Sequence, residues 1–311
     1  MCFKIRKQQV NNALNRQMDS DWLAMHGIHQ FSHKAMATVF DVFIQHHDFS
    51  YASQAATEAF AQLDLLEQDL SRFVENSDIS RINQLKPGES TVIGMEAMKC
   101  LILCQKLLSE TNGAFNPTIG KIITYWKDET KSNFNEKEKI GSLLLDTGAF
   151  SVTLIDNPIS IDLGGMGKGY ALDKLMETFQ EWNIEIVLLN SGKSTFLAGK
   201  APSEEVGWPM TLYHPLNQTV LYQISLVNYA IAGSGIEKGD HIISPSNFCP
   251  IQNRLSTWSM AKTGAEADAL STSFMIMGEN GINEYVNHHP NVGGMVIDKK
   301  GGVIKFGILE E

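Results

Sequence analysis

The run Ile161-Asp162-Leu163-Gly164-Gly165-Met166-Gly167-Lys168-Gly169-Tyr170 places four glycines and a lysine at the end of an apolar segment. Glycines at such a joint let backbone amides and carbonyls approach a ligand with no Cβ in the way. The first turn of a following helix also offers free N–H groups to an anion such as phosphate. Lys168 adds a formal positive charge to that corner. The spacing fits neither Gly-x-x-x-x-Gly-Lys-Ser/Thr nor the dinucleotide fingerprint, and the same glycines could serve only as a tight strand-to-helix joint. A second stretch, Ala267-Asp268-Ala269-Leu270-Ser271-Thr272, sets Asp268 and Thr272 one helical turn apart on a shared face. Their hard oxygens, supplemented by a carbonyl from a glycine loop, suit Mg²⁺ better than zinc. The alternative is an exposed Asp stabilising a helix start, with a Thr bonded back onto its own helix.

Other residues carry weaker signals. His241 opens the apolar pair Ile242-Ile243 ahead of Ser244-Pro245, so its imidazole could stand at a strand edge and relay a proton or donate to a phosphoryl oxygen. A structural histidine is the other reading. Asn190-Ser191-Gly192-Lys193-Ser194 looks like a plain turn, since it lacks the upstream glycine of a phosphate loop. Phe73, Phe115, Tyr125, Trp126 and Tyr170 could wall a planar cofactor or fill the core. Cys100 and Cys104 lie one helical turn apart in an apolar run and read as buried thiols.

These stretches need elements to hold them. Alternation over residues 37–45 predicts a strand with Phe40, Val42 and Ile44 on one face and Val39, Asp41 and Phe43 on the other. Ala52, Ala56, Ala59, Leu63, Leu66 and Leu70 recur at helical intervals, and a second helix is predicted over residues 95–109. Short strands are predicted over residues 159–163, 186–190, 208–213, 221–226 and 256–261, with a helix over 172–179 following the glycines. Residues 293–297 and 303–306 form a closing hairpin, and the charged residues 126–139 an exposed excursion. The strand, helix, strand succession argues for an α/β (mixed α+β) chain. Residues 1–30 read as a flexible or peripheral leader, and residues 31–311 as one domain.

Lys and Arg number 25 against 35 Asp and Glu, a net charge of −10, and no basic stripe tracks a phosphate backbone, so nucleic acid is not an expected partner. No stretch reaches the roughly 20 apolar residues of a transmembrane helix. Lys4, Arg6 and Lys7 are followed by no apolar segment. As written, the sequence suggests a cytoplasmic protein; a missing leader would instead make it periplasmic or membrane-associated.

Taken together, the blocks resemble the ApbE family of flavin transferases (FAD:protein FMN transferases). Met36-Ala37-Thr38 resembles its Met-Gly-Thr, and Ser71-Arg72-Phe73 its Ser-x-Phe. Ala114-Phe115-Asn116-Pro117-Thr118 resembles Ala-Phe-Asp-Pro-Thr, and residues 162–170 resemble Asp-Leu-Gly-Gly-x-x-Lys-Gly-Tyr. His241-Ile242-Ile243-Ser244-Pro245 is similar to His-Ile-Ile-Asp-Pro, and residues 267–272 to Ala-Asp-Ala-Leu-Ala-Thr. The resemblance implies a fold of interwoven lobes around a central cleft, with Mg²⁺-dependent transfer of the FMN part of FAD onto a Thr or Ser hydroxyl of an acceptor flavoprotein and release of AMP. It further implies Mg²⁺ at the Gly165 carbonyl, Asp268 and Thr272, and FAD against Met36, Phe73, Ala114, Phe115, Asn116, Asp162 and Lys168. His241 matches the histidine implicated in the chemistry. Asn116 and Ser244 stand where the pattern has Asp, and Ser191-Gly192-Lys193-Ser194 replaces Gly-Gly-Asp. A FAD-binding protein without transfer, or a scaffold with a vestigial pocket, is the alternative that these departures raise.

Overall fold

The computed structural model describes residues 18–127, 141–236, 239 and 242–310. His241 and residues 128–140, most of the predicted excursion, lie outside the described residues. The central element is an eight-stranded sheet, ordered β1(Ile28–Ala35), β2(Thr38–Gln45), β6(Val187–Ser191), β7(Thr195–Ala198), β10(Ala230–Gly235), β11(Arg254–Ala261), β12(Gly293–Asp298) and β13(Val303–Gly307). Every neighbouring pair is antiparallel. The strand, helix, strand succession therefore builds no parallel crossover. Two small sheets, β3(Ser90–Val92) with β4(Leu143–Asp146) and β5(Ser151–Leu154), and β8(Trp208–Tyr213) with β9(Val220–Leu226), complete the strands.

Both faces of the large sheet are covered. Phe40, Val42, Ile44, Val187 and Leu189 share one core with the apolar faces of α2(Phe49–Leu70), α4(Met95–Glu110), α6(Gly167–Glu181) and α7(Gly264–Ile276). Phe43, Leu188, Phe196, Trp258 and Met295 share another with Trp208, Met210 and Leu212 of β8. Burial on two sides explains why β6, β7 and β11 are buried at every position, the polar Asn190, Thr195 and Arg254 included. Among the described residues no helix is long and apolar enough to cross a membrane.

Two departures from the expected elements have physical causes. The sheet begins at Ile28, inside the segment read as leader, and α1(Ser20–Met25) precedes it. β1 alternates buried or half-buried with exposed residues because it is an edge strand, so its sequence lacks an apolar face strong enough to register. Residues 159–163 are extended but form no strand; Ser160 makes a single parallel bridge with Ile119. Their backbone is satisfied instead by the Asn83 side chain, which accepts from Ile161 N at 2.6 Å and donates to Ile161 O at 3.1 Å, and by Pro117 O, which accepts from Asp162 N at 2.7 Å.

The β1–β2 hairpin closes on Met36 and Ala37, both left-handed at φ 50° and 57°. Such a turn matches the twist of the strands but strains residues that carry a Cβ. Ala37→Gly is expected to stabilise the protein by about 0.5–1 kcal/mol after the entropy of the freer unfolded chain is subtracted. Calorimetry should show a melting temperature higher by about 2 °C, and an unchanged or lower value would refute the strain.

Candidate active site

The site is organised where α6 crosses α7. The two helices meet glycine on glycine: a Cβ on Gly169 would fall on the Gly264 carbonyl, and a Cβ on Gly264 would sit 2.5 Å from Gly169 O. Asp173, one turn along α6, closes the crossing by accepting from Gly264 N at 2.6 Å and Ala265 N at 2.9 Å at the start of α7. Burial pushes its carboxyl up to about 7, against the pull of those two N–H donors. The crossing brings the first turn of α6 against the first two turns of α7, so Gly169 N donates to Asp268 Oδ2 at 3.1 Å. The glycine at 169 is therefore a packing requirement, and of the four it is the one whose added Cβ would run into backbone of a neighbouring element.

Asp268 is 4% exposed, which removes the reading of an exposed helix-start carboxylate. Its two oxygens accept four hydrogen bonds: Lys168 Nζ reaches Oδ1 at 3.2 Å and Oδ2 at 3.1 Å, Thr195 Oγ1 donates to Oδ1 at 3.1 Å, and Gly169 N completes the set. Thr272, a turn further on, approaches Ser234 of β10 at 3.3 Å, and Ser234 in turn meets Ser271 at 2.8 Å. An added Cβ on Gly165 would lie 3.6 Å from Thr272 Oγ1, so the glycine loop abuts the same face of α7.

The opposite wall is built by two turns. Asp162 accepts from Gly164 N at 2.7 Å through Oδ1 and pairs with Arg72 Nη2 at 3.2 Å through Oδ2. Arg72 also donates to Gly120 O at 3.2 Å, tying the end of α2 to α5(Gly120–Lys127) and to the glycine loop. Asn116 Oδ1 accepts from Thr118 N at 2.9 Å and from Thr118 Oγ1 at 2.6 Å. Its side-chain oxygen thus closes the turn as a carboxylate oxygen would. Ser244 is buried and shares a hydrogen bond of 2.9 Å with Ser246.

Ala114, Phe115, Asn116, Asp162, Gly165, Lys168, Asp268 and Thr272 all line one cleft of about 610 Å³. Two predicted contacts are not among its lining residues. Met36 is half-buried at the tip of the β1–β2 hairpin and packs on the core beneath it. Phe73 is 83% exposed, with the Arg72 guanidinium 4.7 Å from its ring centroid. Arg72, Thr195 and Ser234 belong to the site and escaped sequence reasoning. Each acts on a residue far away in the chain, beyond the reach of local spacing.

Asp268, Thr272 and the Gly165 backbone carry only hard oxygens, the donor chemistry that could hold Mg²⁺ rather than a soft metal. Among the described residues no three His, Cys, Asp or Glu side chains gather to hold a metal. The donor set has one carboxylate, so a cation held there would complete its shell with water and substrate phosphate oxygens.

The profile of the ApbE family matches residues 36–296. The FAD:protein FMN transferase of Vibrio cholerae is 25% identical over 267 residues, covering 78% of this chain and 80% of that protein. The Escherichia coli protein of the same name is 23% identical over 299 residues, covering 88% and 84%. In fold, the chain is similar to the ApbE protein of Thermotoga maritima, with a TM-score of 0.80 at 21% identity over 91% of this chain and 98% of that one. The flavin transferase ApbE from Vibrio cholerae superposes with a TM-score of 0.76 at 20% identity, covering 90% and 96%. With the profile spanning most of its length and with Asp162, Lys168, Asp268 and Thr272 gathered in one cleft, the chain belongs to the ApbE family.

Proposed function

We propose that the protein transfers the FMN moiety of FAD to a Thr or Ser hydroxyl of an acceptor flavoprotein, releasing AMP in a Mg²⁺-dependent reaction. The observation that carries this reading is the convergence of a single-carboxylate oxygen donor set, a lysine and a glycine loop on one cleft in a chain of this family.

In the reaction the acceptor oxygen attacks the FMN phosphorus, the bond from that phosphorus to the AMP oxygen breaks, and AMP leaves with the electron pair. A bound Mg²⁺ would neutralise the pyrophosphate and orient it for in-line attack. The residues of the chain divide the remaining work. Lys168 faces the phosphates with positive charge, while the N–H groups of Gly167 and Gly169 at the start of α6 are already taken by Leu163 O and Asp268. Asp162, fixed by Arg72, and the turn from Ala114 to Asn116 shape the wall against which the nucleotide lies. His241, matched by resemblance, takes the hydroxyl proton. Asn116 already performs its turn-closing hydrogen bonds, so its amide is compatible with this role.

The test is incubation of the protein with FAD, Mg²⁺ and candidate acceptor flavoproteins, following AMP release together with covalently attached flavin. Both signals should vanish with EDTA and return with excess Mg²⁺. Stoichiometric FAD binding with neither signal across several acceptors would select the binding-protein reading instead.

A further inference from the structure

Asp268 belongs to the proposed metal donor set, and Lys168, proposed to face phosphate, already rests on its carboxylate. We propose that Lys168 and the divalent cation compete for that carboxylate, and that a nucleotide pyrophosphate resolves the competition by drawing Lys168 away. Metal and nucleotide then bind as mutually dependent ligands. The inference rests on the metal-dependent reading above and adds an order to it: neither ligand binds well alone.

Three observations carry it. First, the carboxylate is saturated, with each oxygen accepting two hydrogen bonds, so a cation that coordinates it must displace a donor. Second, only one donor is free to leave. Gly169 N is fixed by the helix crossing, and Thr195 is fully buried in β7. The Lys168 side chain is 26% exposed on a flexible stem, and its ammonium also lies 3.4 Å from Gly164 O in the loop facing the cleft. Third, no second carboxylate belongs to the donor set to offset the loss of the lysine, so a cation alone gains little. A pyrophosphate changes both sides of the balance: it gives Lys168 a new anionic partner and gives the cation phosphate oxygens. Linkage then requires that whatever factor the nucleotide adds to metal affinity, the metal adds to nucleotide affinity.

The test uses the whole protein, Mn²⁺ followed by loss of its free-ion resonance, and ADP, which carries a pyrophosphate and no flavin. Mn²⁺ taken up by ADP in solution is subtracted with a protein-free titration. Without ADP, Lys168→Met should bind Mn²⁺ about tenfold more tightly than the parent, and saturating ADP should improve the parent about tenfold but Lys168→Met far less, within the usual range of coupling between sites. Lys168→Arg keeps the charge and pairs with the carboxylate through a planar fork, so it should bind Mn²⁺ alone no better than the parent. Lys168→Gln serves as the second uncharged variant if Lys168→Met melts early. Mn²⁺ affinity unchanged or weakened in the folded uncharged variants would overturn the competition. No Mn²⁺ uptake by parent or variants, with or without ADP, would overturn the metal reading itself and the competition with it.

Discussion

Gly169→Ala is expected to destabilise the protein by about 3 kcal/mol or more, beyond the usual cost of an added methyl in a packed core. The reason is what the methyl meets. Its neighbours would be the Gly264 carbonyl and Ala265 N, the latter at 2.8 Å, and both are backbone atoms in the first turn of α7. A side chain can rotate away; these atoms are held by the two hydrogen bonds of Asp173. The helices would have to separate, which stretches the bond from Gly169 N to Asp268 and shifts Lys168 from the carboxylate it bridges. Thermal unfolding should begin roughly 10 °C lower, given the few degrees per kcal/mol of a protein of this size. Gly167→Ala is the control: its added Cβ would meet nothing closer than Leu163 Cβ at 3.6 Å, and alanine is the better helix former by about 1 kcal/mol. If the two variants melt alike, the glycine crossing does not determine the fold of the site.

The contrast between these glycines shows what periodicity and spacing can reveal. A cluster of glycines before a helix reads as one feature in the sequence, yet position 169 answers to a backbone that arrives nearly a hundred residues later. The same division runs through the whole chain. α2 and α4 were legible because their apolar residues repeat at helical spacing against a core, and β2 because its two faces pack on different cores. β7 and β10 were not recognised, being short and, in β10, rich in small residues at Ala232, Gly233, Ser234 and Gly235. Residues 159–163 carried a strand pattern without a strand, because alternation records which side chains are buried and not which group takes the backbone hydrogen bonds. In the site, the spacing of Asp268 and Thr272 was readable from one helix. Thr195 and Arg72 were not, since their partners Asp268 and Asp162 are reached only through the sheet and the end of α2.

Asp268→Ala is expected to reduce metal-dependent transfer by about 10² to 10⁴, the loss of several kcal/mol of charge stabilisation at a factor of ten per 1.36 kcal/mol. The substitution removes the only carboxylate of the proposed donor set, so FAD measured in saturating Mg²⁺ should bind more weakly, its pyrophosphate having lost its counterion. It also leaves Thr195 Oγ1 and Gly169 N without their acceptor in a buried position, which costs stability of about 1–3 kcal/mol for each group left unpaired. Activity must therefore be measured below the onset of unfolding. His241→Ala provides the comparison that separates binding from chemistry. As a positioned acid or base its loss should cut transfer by roughly 10² to 10⁴ while FAD affinity in Mg²⁺ stays near the parent value. Calorimetric titration with FAD, alongside AMP release in the presence of an acceptor flavoprotein, reads both variants on both axes. The acceptor is needed because hydrolysis of FAD by water would release AMP without transfer. Equal loss of FAD affinity in the two variants would make His241 a binding or structural residue and leave the proton of the acceptor hydroxyl to another group.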